Sequence, residues 1–168
     1  MMKKLSRIEF VKKLETEGLK FSDLVLASEG DYAADDSDWN YKDVPHLHCV
    51  HDLAEAYPAL IGDDLICSIN MQSILGIWFP VALVNYQYAK HHQVYYTTLF
   101  FFALVIESKT EALAPIRTRV TTTYSIGAPK WLFWAIPIIK MLLRKNYDVL
   151  MSADIPMRYR RGHQTRKH

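Results

Sequence analysis

Between residues 64 and 126 the chain keeps returning to Val, Ile, Thr, Tyr and Phe, and its interruptions are only a few residues long. Four segments stand out, 64–75, 78–89, 93–107 and 113–126, separated by Gly76, by Lys90-His91-His92 and by Ser108-Lys109-Thr110-Glu111. β-branched and aromatic residues suit a pleated, half-buried surface, and links this short cannot carry a crossover helix. The pattern therefore predicts an antiparallel meander with an apolar inner face. The apolar stretch 73–88, broken by Pro80 and Asn85, reads as a strand and not as a spanning helix.

The flanks read as helical. Ser6-Arg7-Ile8-Glu9 has the form of a capping box, and Ile8, Phe10, Val11 and Leu14 give an apolar stripe that Gly18 ends, so a helix is expected over 6–17. Residues 28–43 carry six acids and predict a solvated loop or a short element packed through Trp39 and Tyr41. Pro45 is placed to open a second helical segment that Pro58 ends near Tyr57. After Gly127-Ala128-Pro129 a last helix is expected over 130–152, with Trp131, Trp134, Ile138 and Leu142 on one side and a kink at Pro137. At 168 residues this is one α+β domain. Its parts are an N-terminal helix and acidic loop (1–38), a core (39–155) and a basic tail (156–168).

Charge is divided along the chain. Residues 1–64 hold 14 acids and seven bases, whereas the 13 bases of the remainder face only four acids. Nine of those bases follow residue 129, so the C-terminal segment offers a contact for anionic lipid headgroups, an anion site or simply a solvated end. Nucleic acid is the weaker reading, because no stacking platform or nucleic-acid motif accompanies the charge. Cys49 and Cys67 are the only cysteines and the first residues lack an apolar leader, which predicts reduced thiols and a cytoplasmic, at most peripherally membrane-associated protein.

This order of elements resembles the helix-grip fold of the START-like (SRPBCC) superfamily over about residues 40–155. The resemblance implies a curved sheet wrapped around the terminal helix, with an apolar small molecule held between them. Tyr95, Phe100, Phe102 and Trp134 are then the candidates to line that cavity.

One segment carries a chemical signal of its own. Within residues 39–51 Asp43 is followed three places on by His46 and five further on by His51. Neutral imidazoles are good iron or zinc ligands, although i and i+5 diverge by about 140° on a regular helix, so the segment would have to be irregular. Asp-x2-His-x4-His is similar to the segment in the catalytic domain of Rieske-type non-haem iron oxygenases. That likeness implies Fe(II) held by His46, His51 and a carboxylate of the terminal helix, Asp154 first and Asp148 second, with Asp43 in an orienting or coupling catalytic role. The cysteine and histidine pairs of an iron-sulfur cluster are missing, so the cluster is not expected in this chain and a separate electron-donor protein would be required.

A second reading of the same residues stays open: a helix start whose imidazoles bond Asp35, Asp36 or Asp38. His91-His92 reads as an exposed turn. Two functions follow. One is an oxygenase-like enzyme acting on an apolar molecule. The other is a metal-free carrier of a lipid, polyketide or isoprenoid-like ligand, placed at a membrane surface through Trp131, Trp134 and the basic tail.

Overall fold

The computed structural model of the chain describes residues 4–40, 54–62, 64–74 and 77–165. The first helix, α1 (Arg7–Thr16), starts as the sequence dictates: the Glu9 amide donates to Ser6 Oγ at 3.3 Å and the Ser6 amide donates to the Glu9 carboxylate at 2.9 Å. Gly18, at φ +94°, turns the chain in a conformation that costs glycine little. It leads into β1 (Leu19–Gly30), a strand that lies outside the four sequence segments. A short helix, α2 (Ala34–Asn40), follows in the acidic region.

Six more strands complete the sheet: β2 (Ala54–Ile61), β3 (Leu65–Ile74), β4 (Ile77–Ala89), β5 (His92–Leu99), β6 (Phe102–Ala114) and β7 (Arg117–Pro129). They form one antiparallel sheet in the order β1-β7-β6-β5-β4-β3-β2. The expected meander is present, extended by β1 and β2. Three local expectations change. Residues 54–57 are strand and not the end of a helix, with Pro58 tolerated because β2 lies at the sheet's edge. The segment 93–107 is divided by a turn at Phe100-Phe101, and Ser108 to Glu111 run through the middle of β6 instead of turning.

After a 3-10 stretch (Lys130–Ala135) the chain enters α3 (Ile136–Thr165), 30 residues long. Pro137 lies in the first helical turn, where its missing N–H is not needed, so it begins the helix and does not kink it. The helix also runs through much of what the sequence reading set apart as a tail.

Strand alternation separates two faces. Leu24, Phe102, Leu104, Ile126 and Ala128 point to the concave side and close a core with Ala135 and Ile136. Ile139 and Leu143 of α3 pack against it. On the convex side α1 is fastened by Phe10 stacked on Tyr96, ring centroids 4.8 Å apart, and by the Tyr86 hydroxyl donating to the Leu5 carbonyl at 2.6 Å. Burial, with the Glu9 charge second, pushes the Tyr86 phenol up to about 12.

Candidate ligand-binding site

Register places the side chains of the concave face in rows. Thr97 lies level with Leu104 and Ile126, Tyr95 with Ile106 and Tyr124, and Gln93 with Ser108 and Thr122. The face thus changes character along the strands. Near the 3-10 stretch it is aliphatic and aromatic, whereas toward the other end it carries hydroxyls and amides. On the outer strands Asn85 of β4 lies in the Tyr95 row, whereas Ser68 and Asn70 of β3 lie level with Leu83 and Val81, toward the apolar end.

These groups are out of water. Gln93 is 2% exposed, Asn70 4%, and Ser68, Asn85, Ser108, Thr97 and Thr122 are all buried. Some are satisfied within the protein: Thr97 Oγ1 donates to the Ala82 carbonyl at 2.8 Å, and the Ser108 and Thr122 hydroxyls lie 3.4 Å apart. Gln93 Nε2 and Asn70 Oδ1 are buried without a hydrogen-bond partner among the described residues. An unmet buried polar group costs about 1–3 kcal/mol, which favours any molecule able to bond it.

The polar end closes against α2 and α3. Arg158, 1% exposed, donates from Nη2 to Asp154 Oδ2 at 3.1 Å and from Nη1 to Tyr32 Oη and Ser37 Oγ, each at 3.2 Å. Thr118 Oγ1 donates to the Tyr32 carbonyl at 2.6 Å, and Tyr147 Oη donates to Ser28 Oγ at 3.1 Å. Tyr32 lies across Gly30, where a Cβ would collide with its ring. One helical turn separates Asp154 from Arg158, so both side chains project to the same side of α3.

The sequence-assigned residues fall in different places. Asp43, His46 and His51 lie outside the described residues. Asp154 lies in the buried pair with Arg158, so its Oδ2 faces a guanidinium. Asp148 is exposed on α3. Tyr95 and Phe102 lie on the concave face, Phe102 within the core. Phe100 and Trp134 face outward, 68% and 70% exposed. Cys67 is a free thiol.

Two further clusters involve the histidine pair. Among the described residues Asp35, Asp38 and His91 bring potential metal-ligating atoms within 4.8 Å of one another. Their side chains already face each other: His91 Nδ1 is 2.8 Å from Asp38 and Nε2 3.6 Å from Asp35, while Lys90 Nζ is 3.4 Å from Asp35. This arrangement ties the β4–β5 turn to α2. His92 Nε2 lies 2.8 Å from Glu107 on the convex face. Glu107 feels burial most strongly, which raises its carboxyl, but hydrogen bonds and charge from Lys109 and His92 together hold it below the ordinary value.

No family model and no curated protein sequence matches the chain. Solved structures do. The Zhui aromatase/cyclase from Streptomyces sp. R1128 superposes with a TM-score of 0.72 at 13% identity, covering 84% of this chain and 96% of that one. The fold is the START-like helix grip. A START superfamily protein from Mycobacterium smegmatis matches with a TM-score of 0.64 at 12% identity, over 85% of this chain and 98% of that one. Dicamba monooxygenase, solved with 3,6-dichlorosalicylic acid, matches with a TM-score of 0.60 at 13% identity, over 88% of this chain but 51% of its own length. Identities this low establish the helix grip alone, including the curved sheet against a long C-terminal helix.

The sequence reading missed Gln93, Asn70 and Arg158. Gln93 sits beside the equally buried Val94, so simple alternation could not tell an inward amide from an outward one, and Asn70 follows the exposed Ile69, the reverse of an apolar-inward pattern. Arg158 was grouped with the basic end of the chain. Its spacing of four from Asp154 on a long helix was the available signal.

Proposed function

We propose that this START-like domain binds a small amphiphilic molecule between the concave face and α3, with an apolar body toward Phe102 and Leu104 and a hydrogen-bonding group toward Gln93. The buried polar band carries this reading. A purely aliphatic ligand would leave Gln93 Nε2 unbonded, whereas a ligand hydroxyl or carbonyl oxygen would accept from it. The likeness to an aromatase/cyclase and a START superfamily protein supports a binding or carrier role for an oxygenated ring system or polyketide-like molecule.

The iron-dependent oxygenase draws less support. Asp154, the carboxylate assigned to the metal, is turned to Arg158, and the likeness to dicamba monooxygenase reaches only half of that protein. Metal analysis of untagged protein after anaerobic incubation with ferrous iron separates the readings: one iron per chain, lost in His51→Ala, would favour the oxygenase.

The binding reading is tested by calorimetric titration with naphthol and naphthalene, which share an apolar body and differ by one hydroxyl. Tighter binding of naphthol, with the preference reduced about tenfold or more in Gln93→Leu, is the expected result, since a buried hydrogen bond contributes about 1.5 kcal/mol. Equal affinity for the two compounds, unchanged by Gln93→Leu, would overturn it.

A further inference from the structure

One end of the molecule carries a concentration of exposed aromatic and aliphatic side chains that packing does not explain. The β5–β6 turn presents Phe100 and Phe101, the latter 66% exposed. The 3-10 stretch beside it presents Trp131, 65% exposed, and Trp134. Phe101 and Trp131 touch edge to face at 5.9 Å, so turn and 3-10 stretch form one surface. From Trp134 the stripe continues along α3 through Ile138 and Met141, at helical spacing, to the exposed Lys145.

The turn itself supplies an independent observation. Phe100 has φ +52°, in the left-handed region where two-residue hairpin turns ordinarily place Asn or Gly. An aromatic ring there is strained and largely solvated. The ring packs against Phe79, centroids 4.8 Å apart, yet stays 68% exposed, so most of its surface is left for something outside the chain. The charge of the surrounding segment identifies that partner's chemistry. Between Pro129 and Tyr147 the chain has Lys130, Lys140, Arg144 and Lys145 and no acid.

We propose that this end of the domain docks on a bilayer containing anionic lipid, with Phe100, Phe101, Trp131 and Trp134 entering the headgroup region and the exposed Lys130, Arg144 and Lys145 facing lipid phosphates, while Lys140 donates to Ser22 at 2.7 Å. Tryptophan and phenylalanine beside lysine is the composition of an interfacial anchor, whereas the centres of protein–protein interfaces are depleted in lysine. No helix among the described residues is long and apolar enough to cross a membrane, so the contact is superficial. The proposal is independent of what the concave face binds.

Cosedimentation of the full chain with phosphatidylcholine vesicles, alone and with about one third phosphatidylserine, tests it. The protein should partition to the anionic vesicles at least about tenfold more strongly than to the neutral ones, with tryptophan emission shifting to the blue. Phe100→Ser with Phe101→Ser, and separately Trp134→Ser, should each reduce partitioning about tenfold or more at unchanged circular dichroism. If the double variant fails to fold, Trp134→Ser decides alone. Absence of vesicle binding, or variants that bind like the parent, would overturn the proposal. So would a lipid-free dimer abolished by the same substitutions, since the patch would then belong to a second copy of the chain.

Discussion

The docking of α1 can be tested through Arg7. Its Nη1 donates to Asp23 Oδ2 at 2.9 Å and to Ser125 Oγ at 2.6 Å, and its Nε lies 3.5 Å from Glu107. Ser125 Oγ in turn donates to Asp23 Oδ1 at 2.7 Å, so one guanidinium joins the helix to β1, β6 and β7. α1 has ten residues and no buried side chain, below the length at which an isolated helix persists in water. Its helicity therefore depends on these contacts. Substituting Arg7→Met keeps the stem and removes the donors. Charge-assisted hydrogen bonds contribute about 1.5–3 kcal/mol each, but Asp23 is half exposed and its share must be discounted, leaving about 2 kcal/mol for the set. That corresponds to about a thirtyfold rise in local opening. Amide hydrogen exchange should accordingly show α1 exchanging about thirty times faster, while the amides of Val105 and Ile126 keep their protection. An unchanged α1, or a loss of protection spread evenly over the sheet, would refute the reasoning.

Acid should weaken the same convex surface. The folded-state carboxyl of Glu107 is held below its ordinary value, so its stabilisation is fully present above that value and is lost as pH falls through the folded one. Urea unfolding midpoints should decline over that acid range in the parent and decline less in Glu107→Gln. At the β5–β6 turn, Phe100→Asn relieves the left-handed backbone but also removes the ring contact with Phe79, so the two nearly offset and thermal stability should change by less than about 1 kcal/mol. The same variant should bind anionic vesicles less well, and a large fall in melting temperature would contradict the account of that turn.

Some of the architecture is legible in the sequence itself. The capping box of Ser6 and Glu9, the stop at Gly18 and the strands β3, β4 and β7 follow from local chemistry that the tertiary structure leaves in force. The errors have physical causes. The turn at Phe100-Phe101 has neither Gly, Pro nor Asn, so no local rule marks it. Ser108 and Thr110 look like turn residues because they are polar, yet both face the concave side of β6 and are buried there. β1 alternates Ser22, Leu24, Leu26 and Ser28 on one face with Asp23 and Glu29 on the other, a pattern too mixed to stand out beside the apolar strands. In the candidate site the polar band was hidden for a similar reason. Hydrophilicity marks a residue that wants a partner, not whether water or protein supplies it.

The position of Pro58 bears on how the domain stays separate from its own copies. β2 is the outer strand of the sheet, and Tyr57, Leu60 and Ile61 are exposed along it, so an unmodified ladder there would invite strand addition by another chain. Proline offers no amide hydrogen, and the register shifts between Pro58 and Leu60. An incoming strand would lose its regular pairing at that point. Removing the proline and the irregularity together would leave a continuous apolar border, and the first symptom expected is fibrillar aggregation on storage, with the fold itself unaltered.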